Sequence, residues 1–459
     1  MTNAEWVGVI LAAGKGVRMR SSTPKTLHPV CGAPLLAHVA AAMRGAGLRR
    51  VVAVASPTLK DDPRFTEAAG PGTAIAVQHE QLGTADAVLA ARAACARAKQ
   101  VIVGAGDMPL VQAETVKRMI ATHVKRRALV TVLVSRTSPA EGLGRVRINA
   151  AGDPVAIIEQ KEASESDLAL THINTSWYCF DAAWLWGTLP AIKPQGSREA
   201  YLTDLVAKAV ACGRTAAVEV ADPVEAFGVN DRAQLARAEA AMRQRVLSHW
   251  MAEGVTLQDP ATTYIDAGVT IGQDTVIFAG VHLRGKTSIG RGCEVGPNTV
   301  LSECVIGVKS KVIASFGDGA KVGDEVSVGP YSRLRPGTVI GDRAYIGNFA
   351  EVKNSRVGEG THIGHFSYVG DSELGKRVNI GAGTVTTNFD GKKKNRTVIG
   401  DGAYIGSASM LVAPRTVGKG AATGAGAIVT RDIPDGELWV GNPARFLRRW
   451  ESLPAELDQ

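Results

Sequence analysis

Ile265-Asp266-Ala267-Gly268-Val269-Thr270-Ile271-Gly272-Gln273-Asp274-Thr275-Val276-Ile277 has an aliphatic residue at every sixth position, and the beat runs on through Leu283, Ile289, Val295 and Leu301. It resumes at Val322, Val328, Leu334, Ile340, Ile346 and Val352, and again at Ile399, Ile405, Leu411 and Val417. Glycine often follows the aliphatic, as at Gly272, Gly290, Gly341 and Gly406. A period of six fits neither the turn of an α-helix nor the alternation of an ordinary strand. It fits a parallel β-helix with short flat sides, where one aliphatic per side points inward and small residues turn the corners. Three hexads make one coil, so residues about 18 apart come into register.

Between Val385 and Ile399 the spacing is 14 residues rather than 12, and the extra residues fall in Thr386–Lys394. An insertion in a solenoid becomes a protruding loop, often on the binding face. Its Lys392-Lys393-Lys394 run is either a solvated loop or a cation set that completes a site on a neighbouring subunit. Upstream of the hexads, Asp231 is the expected N-cap of a helix reaching about Glu253, with Leu235, Met242, Val246 and Trp250 on one face. This helix reads as an arm between two domains. The expected boundaries are 1–230, a linker helix over 231–253, and a β-helix over 254–459 ending, from Asp435, in a loosely packed tail.

The first half alternates strands with helices. Val7-Gly8-Val9-Ile10-Leu11, Val51–Val54 and Val101–Val103 are strands; Leu35–Arg44 and Ala85–Ala98 are alanine-rich helical stretches. The pattern predicts a Rossmann-like α/β domain, its mainly parallel sheet covered on both faces, with ligands gathering beyond the carboxyl ends of the strands. Leu11-Ala12-Ala13-Gly14-Lys15-Gly16-Val17-Arg18-Met19 follows the first strand. Its glycines let backbone N–H groups approach a phosphate, and Lys15 and Arg18 add charge. It is not a P-loop, because no Gly-Lys-Ser/Thr closes it, and Met19 stands where a dinucleotide fingerprint needs its third glycine.

The bulk figures agree with such a reading. A chain of 459 residues, 45% hydrophobic and 21% charged, supports two or three ordinary domains. A net charge of +8 without an aromatic-rich basic cluster favours phosphorylated metabolites over nucleic acid. Six scattered cysteines with no Cys-x-x-Cys indicate neither a zinc site nor a disulfide framework, and a cytoplasmic, reducing setting is expected. The apolar Val7–Ala13 run is too short to span a membrane.

The hexads resemble hexapeptide-repeat acyltransferases, which implies a left-handed parallel β-helix. The N-terminal loop is followed in order by Pro-Lys25-Thr-Leu, Gln78, Gln81-Leu82-Gly83-Thr84-Ala85, Gly-Asp107-Met-Pro-Leu, Gly144 in Gly-Leu-Gly-Arg, Glu159, Asn174 and Asn230. That series resembles the sugar-nucleotide pyrophosphorylases. With the hexads behind it, the whole chain resembles the bacterial bifunctional N-acetylglucosamine-1-phosphate uridylyltransferase/glucosamine-1-phosphate N-acetyltransferase family. The resemblance implies acetyl transfer from acetyl-CoA to glucosamine-1-phosphate. Uridylyl transfer from UTP to N-acetylglucosamine-1-phosphate would follow, feeding cell-wall precursor synthesis.

It further implies that Leu11, Ala12, Ala13 and Gly14 hold the nucleotide, with Arg18 and Lys25 at the reacting phosphates. Gln78, Gly83 and Thr84 would contact uracil and ribose. Gly144, Glu159, Asn174 and Asn230 would bind the sugar, and Asp107 with Asn230 would hold Mg²⁺. In the second half, Arg335, Lys353, Tyr368, Asn379 and Lys394 would bind the amino-sugar phosphate, and His365 would act as general base. Asn388, Phe389, Ser407, Ala425 and Asn442 would meet acetyl-CoA. A homotrimer is implied. The sequence departs from the family pattern at Val17, usually threonine; at Asp86, often histidine; at Phe389, usually tyrosine; and in its Gly441-Asn442-Pro443-Ala444 tail. Two other readings use the same domains: a pyrophosphorylase for another sugar or base with the β-helix as scaffold, and a regulatory or assembly subunit.

Overall fold

The computed structural model describes residues 5–136, 143–194 and 199–451. The chain divides into two compact units, Met1–Met242 and Arg243–Gln459, and the division falls inside one helix, Arg232–Ala252.

A nine-stranded sheet forms the first unit, with a main path of Thr215–Glu219, Val130–Arg136, His172–Asp181, Gln100–Ala105, Trp6–Leu11, Val51–Ala55 and Ala74–Val77. His172–Asp181 runs antiparallel to both neighbours; the other pairs on that path are parallel. Val7, Val9, Val52, Val54, Val101 and Val103 enter one apolar cluster, while Ile10, Ala53 and Ile102 enter another on the opposite face. Coverage on both faces is why these strands read as unbroken aliphatic runs rather than alternating ones. Trp6–Leu11 has Val51–Ala55 on one side and Gln100–Ala105 on the other, so strand order reverses there and a crevice opens at the carboxyl ends.

The expected Leu35–Arg44 helix is present as Leu35–Gly45. The Ala85–Ala98 stretch is not one helix. It breaks into Thr84–Ala90 and a 3-10 turn at Ala93–Cys95, whose tightening brings the Ala94 carbonyl to the Arg50 guanidinium (2.9 Å) and buries Cys95. Alanine propensity alone does not foresee that tertiary bond.

Three sheets of twelve, ten and nine short strands, parallel except for the last pair of the twelve-stranded one, form the second unit, a left-handed β-helix. Register stacks Ile265 on Leu283 and Leu301, Ile271 on Ile289 and Ile306, and Ile277 on Val295 and Val312. Every hexad aliphatic quoted above except Val385 is buried in one continuous core; Val385 is only partly buried, and Thr386 takes the inward place there, in register with Leu411. The beat is lost between Leu301 and Val322 because the coil shortens: Leu301 pairs with Gly317, and Ile306 with Val322. Gly317 takes the inward position, where a Cβ would lie 2.8 Å from Leu301 Cδ2. Corners carry buried hydroxyls. Thr275 Oγ1 donates to the Gly290 carbonyl (2.8 Å) and accepts from Cys293 N (3.1 Å), and Thr361 does the same with Gly375 and Val378.

Asp231 caps the joining helix, its carboxylate accepting from Gln234 N (2.8 Å). Ala238, Leu235 and Met242 pack within the first unit, and Leu247, Val246 and Trp250 within the second. From Asp435 on, the described residues are not a loose tail. Glu437–Val440 continues the twelve-stranded sheet and pairs antiparallel with Arg445–Arg449, because Leu438 and Ala444 are apolar enough to be buried at the end of the core.

Candidate functional site

At the carboxyl end of Trp6–Leu11 the chain turns through Ala12-Ala13-Gly14-Lys15 and lines a cavity of about 500 Å³, shared with Lys25, Gln78, Gly83, Thr84, Asp107 and Glu199. Gly16 has a φ of 61°, and a Cβ there would lie 2.8 Å from Lys25 Cβ, so glycine is what lets the loop close over Lys25. Lys25 Nζ donates to the Asp107 carboxylate and to Asn230 Oδ1 (3.2 Å). Val229 N donates to the Asp107 carbonyl (2.9 Å), which ties the two oxygen-bearing segments together. A carboxylate and an amide oxygen thus converge on one cation. That donor set fits a hard ion such as Mg²⁺, which takes few protein oxygens and keeps its waters.

One end of the cavity is built around Gln78, which is buried. Its Nε2 donates to the Gly83 carbonyl (3.0 Å) and to Asp86 Oδ2 (2.8 Å). Gly83 lies against the Ala200 backbone at a φ of 129°, and Thr84 Oγ1 accepts from Leu202 N (2.9 Å).

Gly144, Glu159 and Asn174 come together beside the cavity but are not part of its lining. Asn174 N donates to the Gly144 carbonyl (2.9 Å), and Glu159 Oε1 accepts from Thr203 Oγ1 (3.2 Å). The Asn174 amide is bonded to Tyr178 (2.7 Å) and Ser176 N (3.1 Å). Burial pushes the Tyr178 phenol well above its usual range, so it stays a neutral partner. Arg18 is exposed on the 3-10 turn Val17–Met19 and is not in the cavity lining. Sequence reasoning gave no role to Gln81, which donates to the Ala13 carbonyl, or to Glu199, although both line the cavity. Gln81 lay within a quoted motif; Glu199 had no pattern around it.

In the β-helix, register arranges the expected residues in columns. Asn348 pairs with His365, and the next coils carry that corner to Ala382, Ser407 and Ala425, with Gly441-Asn442 at its end. His365 Nδ1 lies 2.7 Å from Asn348 Oδ1. Phe366, the next residue, is exposed, and so are Tyr331 and Phe349, whose rings stack at 5.4 Å. Across the ten-stranded sheet, Arg335 aligns with Lys353, and Arg335 pairs with Glu351 (2.9 Å), which aligns with Tyr368. Lys353 Nζ faces Asp371 Oδ2 (3.6 Å), and Asn354 (2.7 Å) and Asn388 donate to the same carboxylate. Burial raises the Asp371 pKa, but the Asn354 bond, Lys353 and Asn388 outweigh it, and the carboxyl sits below its usual range. Asp371 was missed in the sequence, although the 18-residue step from Lys353 lands on it.

Two expected residues stand apart from this group. Asn379 belongs to another sheet, in the ladder of His362 and Tyr404. Lys394 is exposed in the inserted loop, its ammonium 4.5 Å from the Phe389 ring centre, where Asp390 anchors the turn by accepting from Lys392 N (2.9 Å) and Lys393 N (2.8 Å).

Comparison with known proteins finds two families along the chain. Residues 8–250 match the MobA-like NTP transferase domain, and residues 268–303 and 319–354 match the bacterial transferase hexapeptide repeat. The chain is 43% identical to the bifunctional protein GlmU of Carboxydothermus hydrogenoformans, over 94% of this chain and 96% of that protein. It is 43% identical to the Streptomyces coelicolor protein of the same name, over 94% and 91%, and 42% identical to that of Mycolicibacterium gilvum, over 96% and 91%.

Proposed function

The chain belongs to the family of the bifunctional GlmU proteins, and from that premise we propose how its two halves work. It is a bifunctional enzyme of UDP-N-acetylglucosamine synthesis. The second unit acetylates glucosamine-1-phosphate from acetyl-CoA; the first joins N-acetylglucosamine-1-phosphate to UTP and releases pyrophosphate.

In the first unit the sugar phosphate attacks the α-phosphorus of UTP. Two anions must meet, so the task is positioning and charge neutralisation. The backbone of Leu11–Gly14 cradles the phosphates, and Lys25 balances the developing charge. Arg18 reaches in from the exposed turn once nucleotide is bound. Asp107 and Asn230 would hold Mg²⁺, and the ion would supply charge neutralisation at the phosphates. Gln78, Gly83 and Thr84 hold the base and ribose; Gly144, Glu159 and Asn174 hold the sugar, with Asn230 at both sugar and metal. The observation that carries this reading is the Lys25 ammonium held between Asp107 and Asn230 at the switch point of the sheet.

In the second unit, Arg335 and Lys353 take the sugar phosphate, and Tyr368 contacts the sugar. The Asn348 oxygen facing Nδ1 selects the tautomer of His365 whose Nε2 lone pair is free. That nitrogen removes a proton from the attacking amine. Acetyl-CoA lies along the corner column past Ser407 and Ala425 to Asn442; Asn388, bonded to Asp371, and Phe389, in the inserted loop, stand away from that column and meet acetyl-CoA from their own side of the site. Asn379 and Lys394 stand apart from this group and serve the site of a neighbouring subunit. The exposed aromatics Tyr331, Phe349 and Phe366 beside His365 support a trimer that covers them. Among the described residues no helix is long and apolar enough to cross a membrane. The setting proposed is a reducing cytoplasm, which the free state of all six cysteines suits. Incubation with glucosamine-1-phosphate, acetyl-CoA, UTP and Mg²⁺, with mass analysis, tests the reading. UDP-N-acetylglucosamine is the expected product; UDP-glucosamine alone would reject the acetyl half.

A further inference from the structure

The reading above gives Gln78 to the base. What fixes the direction of its amide is a separate question, and the structure holds an answer outside the cavity. Both hydrogen-bond partners of Nε2, the Gly83 carbonyl and Asp86 Oδ2, are acceptors. An amide turned the other way would set Oε1 against two oxygens, an arrangement without a proton to share. The NH₂ group is therefore committed, and Oε1 is the atom left for a ligand in the cavity that Gln78 lines. Asp86 itself does not line that cavity. It sits in the first turn of Thr84–Ala90, where a carboxylate also favours the helix N-terminus, but that role needs no bond to Gln78.

We propose that Asp86 is a positioning residue for base selection: by holding the Gln78 amide, it presents an acceptor that requires an N–H at the ring position it meets. Uracil carries a donor at N3; cytosine carries a lone pair there. A buried site built to accept a hydrogen bond rejects the analogue that lacks the donor, because the acceptor is left facing another acceptor. This inference rests on the assignment of Gln78 to the base.

The test compares kcat/KM for UTP and CTP, with N-acetylglucosamine-1-phosphate as co-substrate, in the wild type and three variants. Asp86→Leu removes the acceptor and should lower the UTP-to-CTP preference by about tenfold or more. Asp86→Asn can still accept through Oδ1 and should keep the preference within about threefold. Gln78→Leu should abolish most of it. If Gln78→Leu leaves the preference intact, the assignment of Gln78 to the base is wrong. If Gln78→Leu erases the preference while Asp86→Leu slows both nucleotides equally, Asp86 is merely structural and the proposal is overturned. Equal loss of preference in Asp86→Leu and Asp86→Asn overturns it too, since charge rather than the acceptor would be at work.

Discussion

His123 shows how a single buried residue can set a pH dependence. It is enclosed, with Nδ1 2.8 Å from Thr131 Oγ1, Nε2 2.9 Å from Gln100 Oε1, and Trp6 edge-on at 5.7 Å. Burial lowers its pKa to about 4, well below the usual 6.5 of a histidine. The unfolded chain therefore binds a proton that the folded one refuses, and stability falls as pH drops from 6.5 toward 4. Denaturant unfolding of the wild type should show a loss of ~2 kcal/mol between pH 7.5 and pH 5 that His123→Asn lacks. Equal slopes in the two proteins would show that His123 is not the source. At the same scale, the sequence already held Lys25, Asp107 and Asn230, which meet in space. Asp371 escaped because an acidic residue on a β-helix reads as solvated, and only register reveals Lys353, Asn354 and Asn388 around it.

The corner hydroxyls are the feature of the β-helix that the period of six does not announce. Each inward aliphatic stacks on its neighbour, but the N–H and C=O groups at a turn need partners of their own. Thr275 supplies both through one oxygen. Thr275→Val keeps the shape and should cost roughly 1–3 kcal/mol, read as a lower midpoint for the second unit, because a buried N–H and a carbonyl each lose a partner. An unchanged midpoint would mean that water replaces the hydroxyl. The coil elements were legible from the aliphatic beat wherever coils held their length. They were illegible between Leu301 and Val322, where shortened coils and Gly317 break the count. The Ala85–Ala98 stretch failed for a different reason, since a tertiary bond to Ala94 ends the helix that composition favoured.

At the scale of the whole molecule, two chemistries are assigned to two compact units that share one helix. Sedimentation should give a trimer, and replacing Phe349 and Phe366 with glutamate should disperse it and reduce acetyl transfer while uridylyl transfer persists. An active monomer would remove the assembly from the account. The central claim is that the two activities are separable. Asp107→Ala should abolish UDP-sugar formation and leave acetyl transfer near the wild-type rate; His365→Ala should lower acetyl transfer by ~10²-fold and leave uridylyl transfer intact. The most direct measurement mixes these two purified variants with glucosamine-1-phosphate, acetyl-CoA, UTP and Mg²⁺ and follows UDP-N-acetylglucosamine. The account predicts that neither variant alone makes it at the wild-type rate and that the mixture does, as released N-acetylglucosamine-1-phosphate passes from one protein to the other. A folded Asp107→Ala protein that has lost acetyl transfer as well, so that the mixture makes nothing, would contradict it.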